Sequence, residues 1–294
     1  MTVVAVSAED DGCAPGLAAA LAALPPGAPV VILIHGFRYA PGVAGHDPHR
    51  LILSPAPDRT GGRIVSWPRH LGLAGTGGLA LAFGWQARGD IWRAYRRAGM
   101  AGAALARLIG ALRLLAPDRA VHVVAHSLGA RVALAALPLC GPGDVGRMIL
   151  MAGAAFRPEA SAAMDSPAGR TAEVWHVRGA ENTLFEALLW LAFPRHGRTL
   201  GAGLPGCPGW VDLALESLQT RAGLRRLGLA VAPRRRLVCH WSCYARPGVF
   251  AVYRAILAGR LTVADLRPQP KPTGAGAMRL AGFIRVFKPL STRG

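Results

Sequence analysis

The chain has 294 residues, of which 52% are apolar and only 17% charged, so a packed core is available and an intrinsically disordered class is excluded. Five cysteines are too few, and odd in number, for a small disulfide scaffold. The net charge of +18 suggests an anionic partner. However, Lys271 and Lys288 are the only lysines, and so much arginine beside abundant Ala and Gly reads as a coding bias rather than a nucleic-acid signature.

The first ten residues carry no cationic stretch, and Glu9 and Asp10 arrive early, so no signal peptide is expected and the location is read as cytoplasmic. The apolar runs 30–34, 79–83 and 184–193 are short of a membrane span. Short apolar runs alternating with helical stretches predict an α/β domain: a mostly parallel sheet with helices on both faces. Strands are expected at 30–34, 79–83, 121–125, 147–151 and 173–177, with a last short one at 236–239. Helices are expected at about 91–115, 127–137, 184–191 and 247–257, with a small helical stretch over 212–218. A single domain is assigned to 1–266, with insertions at about 40–78, 154–172 and 194–234. A Pro-containing, loosely packed tail is assigned to 267–294.

The most informative segment is Val121-His-Val-Val-Ala-His-Ser-Leu-Gly, an apolar strand running straight into a helix. A serine on such a sharp turn stands out above the sheet as a nucleophile elbow, and small residues are needed on both sides. Here they are Ala125 and Gly129. The strand at 30–34 ends in His35-Gly36-Phe37, where the Phe37 N–H can join that of Leu128 as an oxyanion hole. Of nine histidines, His46, His49, His70 and His196 lie in loop-like stretches and His122 and His176 within strands. His126 is read as lining the pocket. His240 is read as the general base, late in the chain and beside a presumed strand end. Glu181, the first carboxylate after the strand at 173–177, is the expected orienting acid, with Glu186, Asp212 and Asn182 as alternatives. Phe37, Tyr39, Trp85, His126, Phe156 and Leu184 are expected pocket walls. Cys239 and Cys243 flank His240 without a second ligand pair and are read as packed thiols, so no metal is expected.

The order Ser127, Glu181, His240 with the H-G-F turn resembles the α/β-hydrolase superfamily, over residues 30–257. More narrowly, the chain is similar to bacterial α/β-hydrolases with an A-H-S-[LM]-G elbow. They share the strand end Phe83-Gly84-Trp85 and a segment like His240-Trp241-Ser242-x-Tyr244-x-Arg246-Pro247-Gly248. The resemblance implies an eight-stranded sheet, a serine nucleophile and no required cofactor. Thr183 departs from it, standing where an aspartate is expected after Glu181-Asn182. The function expected is hydrolysis of a carboxylic ester with an apolar acyl group. A thioesterase or acyltransferase would use the same residues. A different class, a lipid-associated protein with a weak site, is suggested by Arg221, Arg225, Arg226 and Arg234 to Arg236 beside the presumed base. Nucleic acid is not an expected partner.

Overall fold

A computed structural model describes residues 3–10, 14–58, 64–75 and 77–266. Seven strands form one all-parallel sheet: β1 Val3–Ser7, β2 Val30–Ile34, β3 Leu79–Gly84, β4 Val121–His126, β5 Arg147–Met151, β6 Glu173–Arg178 and β7 Trp210–Ala214. Their order is β1-β3-β2-β4-β5-β6-β7. The chain runs from β2 to β3 on one side and returns to β4 on the other, so the order reverses between β2 and β4. Ligands of open parallel sheets bind outside the strand ends at such a point.

Strand side chains alternate between two apolar layers. Ile32, Leu81, Val123 and Leu150 face one layer, while Val31, Leu33, Val124, Ile149 and Trp175 face the other. Burial on both sides explains why β2 and β3 read as unbroken apolar runs, and why β4 departs from one only at the buried His122 and His126. The first layer is covered by α1 Leu17–Ala22, α3 Ile91–Leu115, α4 Leu128–Ala136 and α5 Arg157–Met164. The second is covered by α2 Trp67–His70, α7 Leu218–Arg226, α8 Ser242–Ala245 and α9 Val249–Leu257, with Ile52 and Leu53 from the segment between β2 and β3. That Pro-rich segment is therefore part of the fold over its described residues. The remaining helix, α6 Thr183–Ala192, follows β6.

The Asp90 carboxylate accepts the Arg93 N–H at 2.7 Å and so starts α3. This helix is long and apolar enough to cross a membrane, but half of its most apolar window is buried in the fold. Its Gly102 lies so close to α4 that an added Cβ would stand 2.6 Å from the Ala135 Cβ.

Four expectations are corrected. The described residues form seven strands rather than eight. β1 was not expected; it is an edge strand in which only Val6 is fully buried. Residues 210–214 form β7 rather than a helix, because Val211 and Leu213 pack inward while Asp212 accepts from Leu204 N and the Trp210 indole. The run Leu237-Val-Cys is no strand: it lacks a sheet partner among the described residues, and Leu237 is exposed. The expected tail at 267–294 lies outside the described residues.

Two buried histidines must stay neutral. His35 Nε2 accepts the Trp85 N–H at 3.0 Å while its Nδ1–H donates to the Gly36 carbonyl, and burial lowers its pKa to about 3. His122 Nδ1 accepts the Arg147 N–H at 3.0 Å, and burial lowers its pKa to about 4. Below pH 6.5 the unfolded chain takes up protons that these folded rings refuse. Stability is therefore full above about pH 6.5 and is lost as pH falls towards the folded values. Chemical denaturation at pH 7.5 and 4.5 should show a loss of the order of 2 kcal/mol per ring, recovered in part by His122→Asn.

Candidate active site

The turn after β4 is built around Ser127, whose φ of 54° and ψ of −124° lie where residues other than glycine are strained. Backbone bonds hold it there: Ser127 N–H donates to Met151 O at 3.0 Å, and Ala154 and Ala130 N–H donate to Ser127 O at 2.9 and 3.0 Å. A Cβ on Gly129 would sit 2.6 Å from the carbonyl oxygens of both Ile34 and His35, so α4 can begin this close to β2 only with glycine.

The register places the second turn beside the first. Ile34 pairs with Ala125, so the residues that follow each strand face one another. Gly36 lies directly against the serine, and a Cβ there would be 2.7 Å from the Ser127 Cβ. Among the described residues, the N–H groups of Phe37 and Leu128 have no hydrogen-bond partner, which leaves both free to donate to an oxyanion.

His240 meets this turn from the far end of the chain. Its Nε2 is 2.8 Å from Ser127 Oγ and its Nδ1 2.6 Å from Asn182 Oδ1. Phe185 from α6 stacks on the imidazole at 4.6 Å between ring centres. The loop carrying His240 is fixed by its backbone: Cys239 N–H donates to Glu181 O at 2.9 Å, and His126 Nε2–H donates to His240 O at 3.1 Å. Burial lowers the His240 pKa to about 4, so the ring is neutral at pH 7 with the Nε2 lone pair towards the serine.

Glu181 does not face the base. The short turn over 180–182 rotates it towards Arg246, which it meets as a buried ion pair, and Arg246 also donates to Glu216 at 2.6 Å. The next residue, Asn182, is turned to His240 instead. Its Nδ2 donates to Glu186 Oε1 at 2.8 Å, and Glu186 Oε2 accepts Gly201 N–H at 3.2 Å. Burial pushes the Glu186 carboxyl up. Because a carboxylate only accepts, it fixes the Asn182 amide with Oδ1 towards the imidazole. His240 must then donate from Nδ1, which sets the tautomer a base needs. A neutral amide therefore occupies the place expected for an acid. Asn182 and Glu186 at i and i+4 were the available sign of it. Asp212 is engaged elsewhere, 3.1 Å from the buried His176.

The expected pocket walls separate. Trp85 and Phe156 are fully buried: Trp85 stacks on His35, and Phe156 packs against Tyr95 and Phe193. His126 is buried too and serves as the peg for the histidine loop, in edge contact with Tyr244. Their apolar or aromatic character reflects the core. Tyr39 lines a cavity of about 510 Å³ with Ile52, Trp241, Tyr244, Arg235 and Arg236, beside the Ser127–His240 pair but not containing it. Cys239 and Cys243 are free thiols, and no group of three or more His, Cys, Asp or Glu is placed to hold a metal among the described residues.

Glu181→Gln should act on stability. It removes one of two carboxylates from the buried Arg246 and is expected to cost about 3 kcal/mol by urea denaturation, at the lower end for a broken buried pair because Glu216 remains. Any activity per folded molecule should keep its pH profile.

No protein-family model matches the chain, and no curated protein matches it. A comparison with solved structures returned the crystal structure of the product of the gene lin2722 from Listeria innocua. It aligns at a TM-score of 0.42 and 10% sequence identity, covering 80% of this chain and 96% of that chain.

Proposed function

We propose that the chain is a serine hydrolase of the α/β-hydrolase type that cleaves a carboxylic ester through an acyl-enzyme. The single observation that carries this reading is Ser127, strained on its turn, with Oγ 2.8 Å from His240 Nε2. Ser127 Oγ attacks the acyl carbon as its proton passes to His240 Nε2, while Phe37 and Leu128 N–H stabilise the oxyanion. The ester C–O bond then breaks, and the departing alcohol oxygen takes the proton from His240. Water, activated by the same nitrogen, attacks the acyl carbon. The bond to Ser127 Oγ breaks, that oxygen regains a proton, and the acid leaves.

Asn182 orients the imidazole without offering the imidazolium a counter-charge. The base is ready at neutral pH but weak, as its depressed pKa requires, and turnover should be modest. An apolar acyl group is suggested by Phe185, stacked on the base, and by the partly buried Phe37 that follows the Gly36 turn.

Two measurements test this. A fluorophosphonate probe should label the wild-type protein and not Ser127→Ala, and p-nitrophenyl esters should be turned over; labelling that survives Ser127→Ala would overturn the reading. In the second, the acid limb of kcat/KM should lie near pH 4. Restoring a charge needs two changes, because Asn182→Asp alone would place two carboxylates in contact and they would share a proton. In Asn182→Asp/Glu186→Gln the glutamine amide can donate to the new carboxylate. This variant should raise the acid limb by about 2 pH units and raise kcat at pH 8.

A further inference from the structure

The surface around the site carries an apolar face that the reaction does not use. In α6, Leu184, Leu188 and Leu191 follow helical spacing, and each is at least 50% exposed. The opposite side of the same helix is the one that reaches inward, through Leu189 to the core, Glu186 to Asn182 and Phe185 to His240. Each end of the helix adjoins further exposed apolar side chains. At the C-terminal end, the Trp92 indole donates to Ala192 O at 3.1 Å. At the N-terminal end, the bond from Cys239 to Glu181 brings up Leu237, Val238 and Trp241. Such a concentration of large apolar groups on a charged protein marks an interaction surface.

The charge around this face is mostly positive, with the exposed Asp90 near Trp92 already paired to Arg93. From 187 to 211 the sequence has no acid, and Arg195 and Arg198 are exposed. From 217 to 264 it again has no acid; Arg246 there is buried against Glu181 and Glu216, while Arg234, Arg235 and Arg236 stand exposed before Leu237. The one carboxylate of α6 points inward. Two copies of a chain of net charge +18 would repel across this face, whereas an anionic surface would attract it. Leucines and tryptophans on one side with arginines at the edge match a helix lying at a lipid boundary.

We propose that α6 and residues 234–241 dock on the surface of an anionic lipid assembly, with the leucines and tryptophans in the acyl boundary and the arginines against the headgroups. The Ser127–His240 pair is then presented to the lipid phase. This goes beyond the hydrolase reading and does not depend on it.

The test uses full-length Ser127→Ala, so that cleavage cannot alter the lipid. Sedimentation should show about tenfold stronger binding to vesicles with about one-third phosphatidylglycerol than to phosphatidylcholine alone, with a blue shift of tryptophan emission. Leu184→Ser/Leu188→Ser/Leu191→Ser should lose most of that binding. Arg234→Glu/Arg235→Glu, on exposed coil, should lose the preference for anionic lipid if the leucine variant fails to fold. Equal binding to both vesicles would overturn the proposal, as would undiminished binding by the folded leucine variant. So would a dimer that the leucine changes dissociate, since a second copy would then occupy the face. Probe labelling of the wild type in lipid-free buffer reports the hydrolase reading separately.

Discussion

Two backbone turns approach more closely than side chains allow, and the arrangement of the site follows from that. The pairing of Ile34 with Ala125 puts the ends of β2 and β4 at one level. Gly36 and Gly129 then let the turns interlock, each where a single methyl group would collide with its neighbour. With those positions closed to larger residues, Ser127 has little choice of backbone conformation, and its strain is held by bonds to β5 and the segment after it. His35 fixes the other turn from below through its bond to the Trp85 amide, which requires the ring to be neutral and hence dry. The site is thus built on a closely packed seam in the sheet that stores its strain at Ser127, with the polar groups added at its rim.

The rim is assembled by a chain of directional bonds: Glu186 to Asn182, Asn182 to His240, His240 to Ser127. Only the first member can carry charge at neutral pH, and it lies one amide away from the imidazole. An aspartate in direct contact would orient the ring and also stabilise its protonated form. Here orientation is retained and the electrostatic part is set back by the width of a side-chain amide. The buried Arg246–Glu181 pair nearby is a separate unit that ties β6's end to the segment before α9.

Much of this was legible in the sequence, for physical reasons. β2 to β6 announced themselves because strands buried on both faces are built around apolar runs, interrupted here only at strand ends and at His122 and His176, and α3 because a 25-residue amphipathic helix has a long, regular stripe. The serine turn, the H-G-F turn and His240 were legible because backbone crowding demands small residues at fixed offsets. What sequence obscured was direction. Glu181 and Asn182 are adjacent, and the tight turn that separates their facings by about a third of a revolution leaves no compositional trace. Trp85, Phe156 and His126 have the character of pocket walls and are core, since an aromatic residue near a strand end serves either purpose. β7 was masked by Asp212, whose strand position is made tolerable by three local donors.

The cationic surface is made of guanidinium groups, and the sequence between residues 3 and 266 contains no lysine at all. Its charge consequently stays fixed far into the alkaline range, where an ammonium surface would fade. It also makes the folded domain inert to reagents that seek primary amines. Lys271 and Lys288 are the only lysines in the sequence. Dyes, resins or cross-linkers that react with lysine would attach at those two positions and leave the serine, the histidine loop and the leucine face of α6 chemically untouched.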